Sequence, residues 1–287
     1  MINLKYWKNT TITLILKTFN QKISGVLHPK KSIQHYHLRR YQPAPELASL
    51  VDQFWFVSWD LRGQPEHIQQ NLPDPNMHLV ISKQGAKVMG PVSKKYSFTM
   101  QGQSKIIGVK FNLGALVEHL SCCASDAVDK EFELKNLFAF DQQELQKQAL
   151  NNTDDETVIK HLTLCLLDYL PSSTKQLRIA QTQVEQIKTN NNINRVEQLA
   201  DLSHTSVRNL QRLFKTYVGL SPKWLIRKYR LHHAMTMLEE HNISFTELAT
   251  RLDYSDQSHL IRDFNEFLNI TPRQYALALE QGIKLSQ

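Results

Sequence analysis

Apolar and polar positions follow two different rhythms along this chain, and the change of rhythm divides it. Between residues 33 and 120 the rhythm is that of strands. Phe54-Trp55-Phe56-Val57-Ser58-Trp59 is aromatic and β-branched, and residues 77–82 and 105–111 are of the same kind. Turn signals separate them at Tyr41-Gln42-Pro43-Ala44-Pro45, Asn71-Leu72-Pro73-Asp74-Pro75-Asn76, Gly85 and Gly90-Pro91. Residues 46–52 read as a helical turn. The spacing predicts a small, mostly antiparallel sheet or half-barrel. After Gly114 the period becomes helical, with segments over 115–120, 141–150, 156–170 and 176–189. Val158, Ile159, Leu162, Leu166 and Tyr169 share one side of the third of these. Residues 121–183 therefore read as a helical connector.

Residues 195–275 carry one pattern twice. Leu210-Gln211-Arg212-Leu213-Phe214 precedes Ser221-Pro222, and Leu260-Ile261-Arg262-Asp263-Phe264 precedes Thr271-Pro272. The offset is 50 for the Leu, the Arg, the Phe and the Pro alike. Each copy follows a short helical stretch, Val196-Glu197-Gln198-Leu199-Ala200 or Phe245-Thr246-Glu247-Leu248-Ala249. Such a period marks a repeated supersecondary unit. The unit reads as a helix, a short turn, a second helix, then Ser/Thr-Pro opening a third. That is the layout of a helix-turn-helix, whose second helix enters the major groove. The units span 195–217 and 244–267, with a linking helix over 222–239. Its inner stripe is expected at Leu225, Tyr229, His232/His233, Met235 and Leu238. Lys223, Arg227, Lys228 and Arg230 should face outward or pair within the domain.

The chemistry sits on the second helix of each unit. Over 206–217, Leu210, Leu213, Phe214 and Tyr217 fall inward, while Arg208, Gln211, Arg212 and Lys215 fall outward. Arginine reads guanine bidentately and glutamine reads adenine, whereas Lys215 suits a phosphate. Over 256–267, Leu260, Phe264 and Phe267 fall inward and Gln257, Ser258, Ile261 and Arg262 outward. Ile261 suits a thymine methyl. Asp256 suits the N-cap of that helix. A polar outward face is common to most helices; its repetition in register is what singles this one out.

Leu199-Ala200, Ser206, Leu210, Arg212-x-Phe214, Gly219-x-Ser221-Pro222, Arg230-Leu231, Ala234, Leu248-Ala249, Tyr254-x-Asp256-Gln257, Arg262-x-Phe264 and Thr271-Pro272-x-x-Tyr275 together resemble the AraC/XylS family of bacterial transcription regulators. The resemblance covers roughly residues 184–279. It implies an α+β chain: a mostly β sensor or dimerisation domain over 33–120, a helical connector, and an all-α reader over 184–287 with two helix-turn-helix units joined by a long helix. It also implies a cytoplasmic, sequence-specific transcription factor that meets two adjacent major-groove segments of double-stranded DNA and works with RNA polymerase. A small-molecule effector and a homodimer stay open. The segment 33–120 resembles the N-terminal domain that one group of these regulators carries in place of a sugar-binding cupin. Two positions depart from the family: Asp253 and Asn269 stand where glycine is usual. Both are expected to take φ > 0, at about 1 kcal/mol each.

Composition changes the picture little. A chain of 287 residues, 41% hydrophobic and 21% charged, has room for two cores. No apolar run approaches the roughly 20 residues of a spanning helix. Three cysteines make no disulfide framework and suit a reducing cytosol. The net charge of +7 is mostly N-terminal, since residues 1–40 hold eight basic side chains and no acid. Residues 1–32 read as a loosely ordered basic extension. Residues 195–230 hold eight basic side chains against two acids, and 239–287 hold four against eight. The first unit is thus expected to supply most of the phosphate attraction.

Trp55, Phe56, Trp59 and His78 are candidates for a small-molecule pocket, against the commoner role of strand aromatics as core. His35-x-His37 has no third ligand near it, and Cys122-Cys123 reads as small packed groups. No metal or cofactor is expected. The chain holds no Gly-rich phosphate loop, G-x-S-x-G or H-E-x-x-H, so it does not read as an enzyme. The alternatives are a DNA-repair or modifying enzyme fused to a regulator domain, which would need a nucleophile motif, and a protein-interaction module.

Overall fold

Alternation along β2 (Val51–Leu61) organises the first half of the chain. Phe54 and Phe56 are buried on one side of this strand, while Trp55 and Val57 are half-buried on the other. In the computed structural model, which describes residues 35–240 and 243–281, β2 pairs with β1 (His37–Tyr41) and β7 (Gly102–Phe111). The sheet continues through β4 (His78–Ser82), β5 (Gly85–Met89) and β8 (Glu131–Glu133) in the order β1-β2-β7-β4-β5-β8. β3 (His67–Asn71) and β6 (Tyr96–Met100) form a separate two-stranded ribbon. Every strand pairing is antiparallel. The extension expected over 1–32 lies outside the described residues.

One face of the sheet packs on helices. Phe54, Phe56, Leu79, Ile81, Val88, Ile107 and Val109 meet Leu145 and Ala149 of α1 (Gln142–Asn151) and Val158, Ile159, Leu162 and Leu166 of α2 (Asp155–Leu166). Burying each large side chain here contributes about 1.5–3 kcal/mol before entropy is counted. Asp141 and Asp154 cap these helices by accepting from the first backbone N–H groups. Two sequence expectations change. Residues 46–52 give only a 3-10 turn at Pro45–Leu47, because β2 begins at Val51. Residues 115–120 give only a 3-10 turn at Val117–His119. Ala115 and Leu116 are fully buried after the tight turn at Gly114 (φ +72°), and too few residues follow for a cooperative helix.

α3 (Lys175–Thr189) runs from the first half to the second with Leu177, Ala180, Val184 and Ile187 buried. Six helices follow: α4 (Val196–Leu202), α5 (Val207–Tyr217), α6 (Pro222–Glu240), α7 (Phe245–Arg251), α8 (Gln257–Leu268) and α9 (Pro272–Gln281). The Ser-Pro and Thr-Pro pairs do what their chemistry suits. Ser221 Oγ accepts from Trp224 N and Thr271 Oγ1 from Gln274 N, with proline at the first helical position in each case. Asp253 and Asn269 take φ of +54° and +56°, as their positions demanded.

The two halves share a core. Leu113 and Val128 pack with Val184, Leu199, Leu210, Phe214 and Leu225. Two glycines allow the approach. A Cβ at Gly114 would lie 2.7 Å from Leu177 Cδ1 and 3.0 Å from the Tyr217 carbonyl oxygen; one at Gly219 would lie 2.7 Å from the Ala124 carbonyl oxygen. Gly219 also has φ +86°. The added methyl group of Gly219→Ala therefore meets backbone and a disfavoured φ together, at about 2 kcal/mol. The expected outcome is a fall in Tm of about 4 °C or more by calorimetry; an unchanged Tm would mean that this junction yields freely.

Candidate nucleic-acid interface and the cavity behind it

In the first unit, Ser206 caps α5 by accepting from Asn209 N. Leu210 and Phe214 are sealed in the core, with Leu213 and Tyr217 half-buried. Arg208, Gln211, Arg212 and Lys215 are all exposed on the opposite side. None has an ion pair among the described residues; Arg212 only reaches Asn209 Oδ1 at 3.5 Å. The four side chains that could meet a duplex are brought together on one free face.

The second unit repeats the design with one addition. Asp256 caps α8 by accepting from His259 N, and Leu260, Phe264 and Phe267 are buried. Gln257, Ser258, Ile261 and Arg262 are exposed, Ile261 at 39%. The Gln257 amide donates to Thr246 Oγ1 at 2.6 Å, which ties it to α7. Sequence reasoning missed Asp263. It falls on the inner stripe, between Leu260 and Phe267, and is 4% exposed. Arg227 donates to its Oδ1 through Nε (2.9 Å) and Nη2 (2.7 Å), Arg230 Nη2 stands 3.4 Å from Oδ2, and Tyr254 OH donates to Oδ2 at 3.0 Å. The Arg230 guanidinium also lies 3.9 Å from the centre of the Tyr254 ring. Arg227 further holds Glu266. A carboxylate at an inward position, opposite two arginines on the linking helix, was the available signal.

This network alters the charge count. Arg227 and Arg230 are committed inward, and Asp263 and Glu266 are neutralised by them. The electrostatic contrast between residues 195–230 and 239–287 is therefore smaller than the composition implies. The expected inner stripe of α6 changes too. Leu225, Ile226, Leu231, Ala234 and Met235 are buried, whereas Lys228, Tyr229, His232 and His233 turn to a cavity. α6 is central, so it has two buried sides instead of one.

That cavity, of about 1500 Å³, lies between the second face of the sheet, the β3–β6 ribbon and α6. On its floor the Trp55 indole lies over Gly108, where a Cβ would be 1.9 Å from Cε2. Trp55 Nε1 donates to His78 Nδ1 at 3.3 Å, which places the imidazole proton on Nε2. Burial lowers the His78 pKa to about 4 against the pull of Asp74, so the ring is neutral. Lys110 Nζ pairs with Asp74 at 3.0 Å. Burial opposes the Asp74 charge, yet Lys110 and Lys228 hold it well below the usual carboxylate range. Of the sequence candidates, Trp55 and His78 line the cavity. Phe56 does not, because neighbouring strand residues point to opposite faces and it is 2% exposed in the helix-side core. Trp59 shares the face of Trp55 but is buried with Met100 and Ile106, its indole donating to the Gln101 carbonyl.

A helix-turn-helix domain profile matches residues 199–278, and a domain of unknown function, DUF6597, matches residues 39–133. Among curated proteins, the probable transcription factor PqrA of Proteus vulgaris is 31% identical over 90 residues, which are 31% of this chain and 73% of that one. An uncharacterized HTH-type transcriptional regulator of Haemophilus influenzae is 31% identical over 80 residues, 28% of this chain and 27% of that one. The HTH-type transcriptional activator RhaS of Escherichia coli is 33% identical over 75 residues, 26% of this chain and 27% of its own. The chain thus spans about a quarter of the length of the latter two. ToxT from Vibrio cholerae overlays 86% of this chain and 98% of its own at 13% identity and a TM-score of 0.38, too low to establish a common fold.

Removing the Asp263 carboxylate would leave the half-buried Arg230 without its ion pair and Arg227 with Glu266 alone, a loss on the order of 3 kcal/mol. Asp263→Ala should lower Tm and speed amide exchange in α8 more than in α5. Equal exchange in the two helices would show that the network does not hold α8.

Proposed function

Because this chain belongs to the AraC/XylS family of transcriptional regulators, we propose that it binds specific duplex DNA through both units and regulates transcription in response to a small molecule held by the N-terminal half. One observation carries the reading. α6 holds two capped helices that present Arg208, Gln211, Arg212 and Lys215 on one and Gln257, Ser258, Ile261 and Arg262 on the other, all exposed. Arg208, Gln211 and Arg212 read base edges in the major groove, Lys215 meets phosphate, and Ile261 packs on a thymine methyl. The second unit follows in the adjacent segment of the duplex. Residues 33–120 act as sensor or dimerisation domain, residues 121–183 as connector, and residues 184–287 as reader. RNA polymerase is the downstream partner, and the regulator acts in the cytoplasm. No catalytic step is assigned. Among the described residues no helix is long and apolar enough to cross a membrane.

The test is selection of bound genomic fragments, followed by a gel shift with unlabelled specific and scrambled competitors. Failure to discriminate between them would overturn the reading. On the selected site, Arg212→Ala should weaken binding by about 2 kcal/mol and Arg262→Ala by about 1 kcal/mol, in titrations at one fixed salt concentration. A larger loss from Arg262→Ala would make the second unit the anchor.

A further inference from the structure

The two recognition helices differ in charge. α5 carries Arg208, Arg212 and Lys215 and no acid. α8 carries a single arginine, Arg262, and its cap is an exposed carboxylate, Asp256. That cap lies at the N-terminal end, which in a helix-turn-helix is the end that meets the base edges. Asp256 accepts from the His259 backbone N–H, and this bond holds its carboxyl below the usual carboxylate range, so it is ionised. An unanswered anion in this place repels the phosphates that the helix has to approach.

His259 stands against that anion. Its Nδ1 lies 3.1 Å from Asp256 Oδ2 and also meets Ser255 Oγ. Both contacts use Nδ1; among the described residues Nε2 has no partner, and the side chain is 46% exposed. Of the charged groups that neighbouring helices bring to α8, Arg227 and Arg230 of α6 are spent on Asp263 and Arg251 of α7 on Glu247. Lys223 of α6 lies near Glu266, and Tyr275 of α9 is bonded to Glu239. Arg262 is exposed on the next turn of α8. A neutral His259 ring leaves the Asp256 charge in place. A protonated ring donates through Nδ1 to Asp256, cancels that charge, and offers a second N–H at Nε2. A phosphate within reach favours the charged ring further.

We propose that His259 is a further DNA-contacting residue of the second unit, held by Asp256 and meeting a backbone phosphate as an imidazolium, so that duplex binding takes up a proton and tightens as pH falls. This rests on the DNA-binding reading above and adds a proton-linked contact to it. The sign follows from the ring: the cationic form is present at and below the ordinary imidazole range and is lost above it. The effect belongs to the second unit alone. Fifty residues earlier, the equivalent place in α5 holds Asn209, which does not titrate.

The full chain is titrated by fluorescence anisotropy against the selected duplex and a scrambled one, at about pH 6 and about pH 8, over a series of salt concentrations. The selected duplex should bind roughly tenfold tighter at the lower pH, with a slope of log affinity against log salt steeper there by about one unit. His259→Gln should hold the weaker value at both pH values, and His259→Lys the tighter one. Asp256→Asn, which keeps a capping side chain, should tighten binding at the higher pH. His204→Asn, in the exposed turn of the first unit, should keep the full pH dependence. Tm at each pH confirms that each variant is folded. The proposal is overturned if affinity is equal at the two pH values, if the folded His259 variants keep the dependence, if Asp256→Asn gains nothing, or if His204→Asn abolishes the dependence. Equal binding of both duplexes at either pH overturns the DNA-binding reading itself, and this proposal with it, so the two failures are told apart.

Discussion

The second half of the molecule depends on one buried carboxylate. Asp263 lies on the inner side of α8 and receives Arg227, Arg230 and Tyr254. Charged groups this deep are tolerated only when their partners are in place, so the contact allows few alternative angles between α6 and α8. Apolar packing alone, between Leu260, Phe264 and Phe267 and the linking helix, would admit more. The outward face that carries Gln257, Ser258, Ile261 and Arg262 is aimed by a contact on the opposite side of the same helix. Among the described residues α5 of the first unit has no buried ion pair of this kind. Its recognition helix is positioned by an apolar core that reaches into the N-terminal half through Leu113 and Val128.

The two units are thus held by different physics. An apolar core shared across the halves makes α5 sensitive to what happens around residues 113–128. A charge network internal to the reader makes α8 sensitive to α6. α6 touches both, and also closes the cavity with Lys228, Tyr229, His232 and His233. A single helix therefore borders the sheet and both recognition elements. Its low amphipathicity follows from that central position: a helix packed on several sides has no single polar face.

The sheet serves two environments through its pleat. Phe54 and Phe56 face the helices while Trp55 faces the cavity, and the register with β7 sets Gly108 beside Trp55. The absence of a side chain there lets a large indole lie flat on the strand.

Much of this was legible in the sequence, for reasons that are local. The 50-residue repeat, the Ser/Thr-Pro openings, the Asp256 cap and the positive φ at Asp253 and Asn269 all follow from chemistry within a few residues. The exposed faces of α5 and α8 follow from helical period. The long strands β2 and β7 announced themselves by aromatic and β-branched content. β1, β3, β5, β6 and β8 did not, since they are 3–5 residues long and mixed in polarity, and their pairing depends on partners distant in the chain. The same limit applies to charge. Composition counted Arg227 and Arg230 with the DNA-facing cations; only the packing of α6 on α8 turns them inward to Asp263. Which face of β2 lines a cavity, and that Lys228 closes it, was likewise decided by tertiary structure. Local propensity acts over a few residues, while burial, pairing and enclosure are set by segments that meet only when the chain is folded.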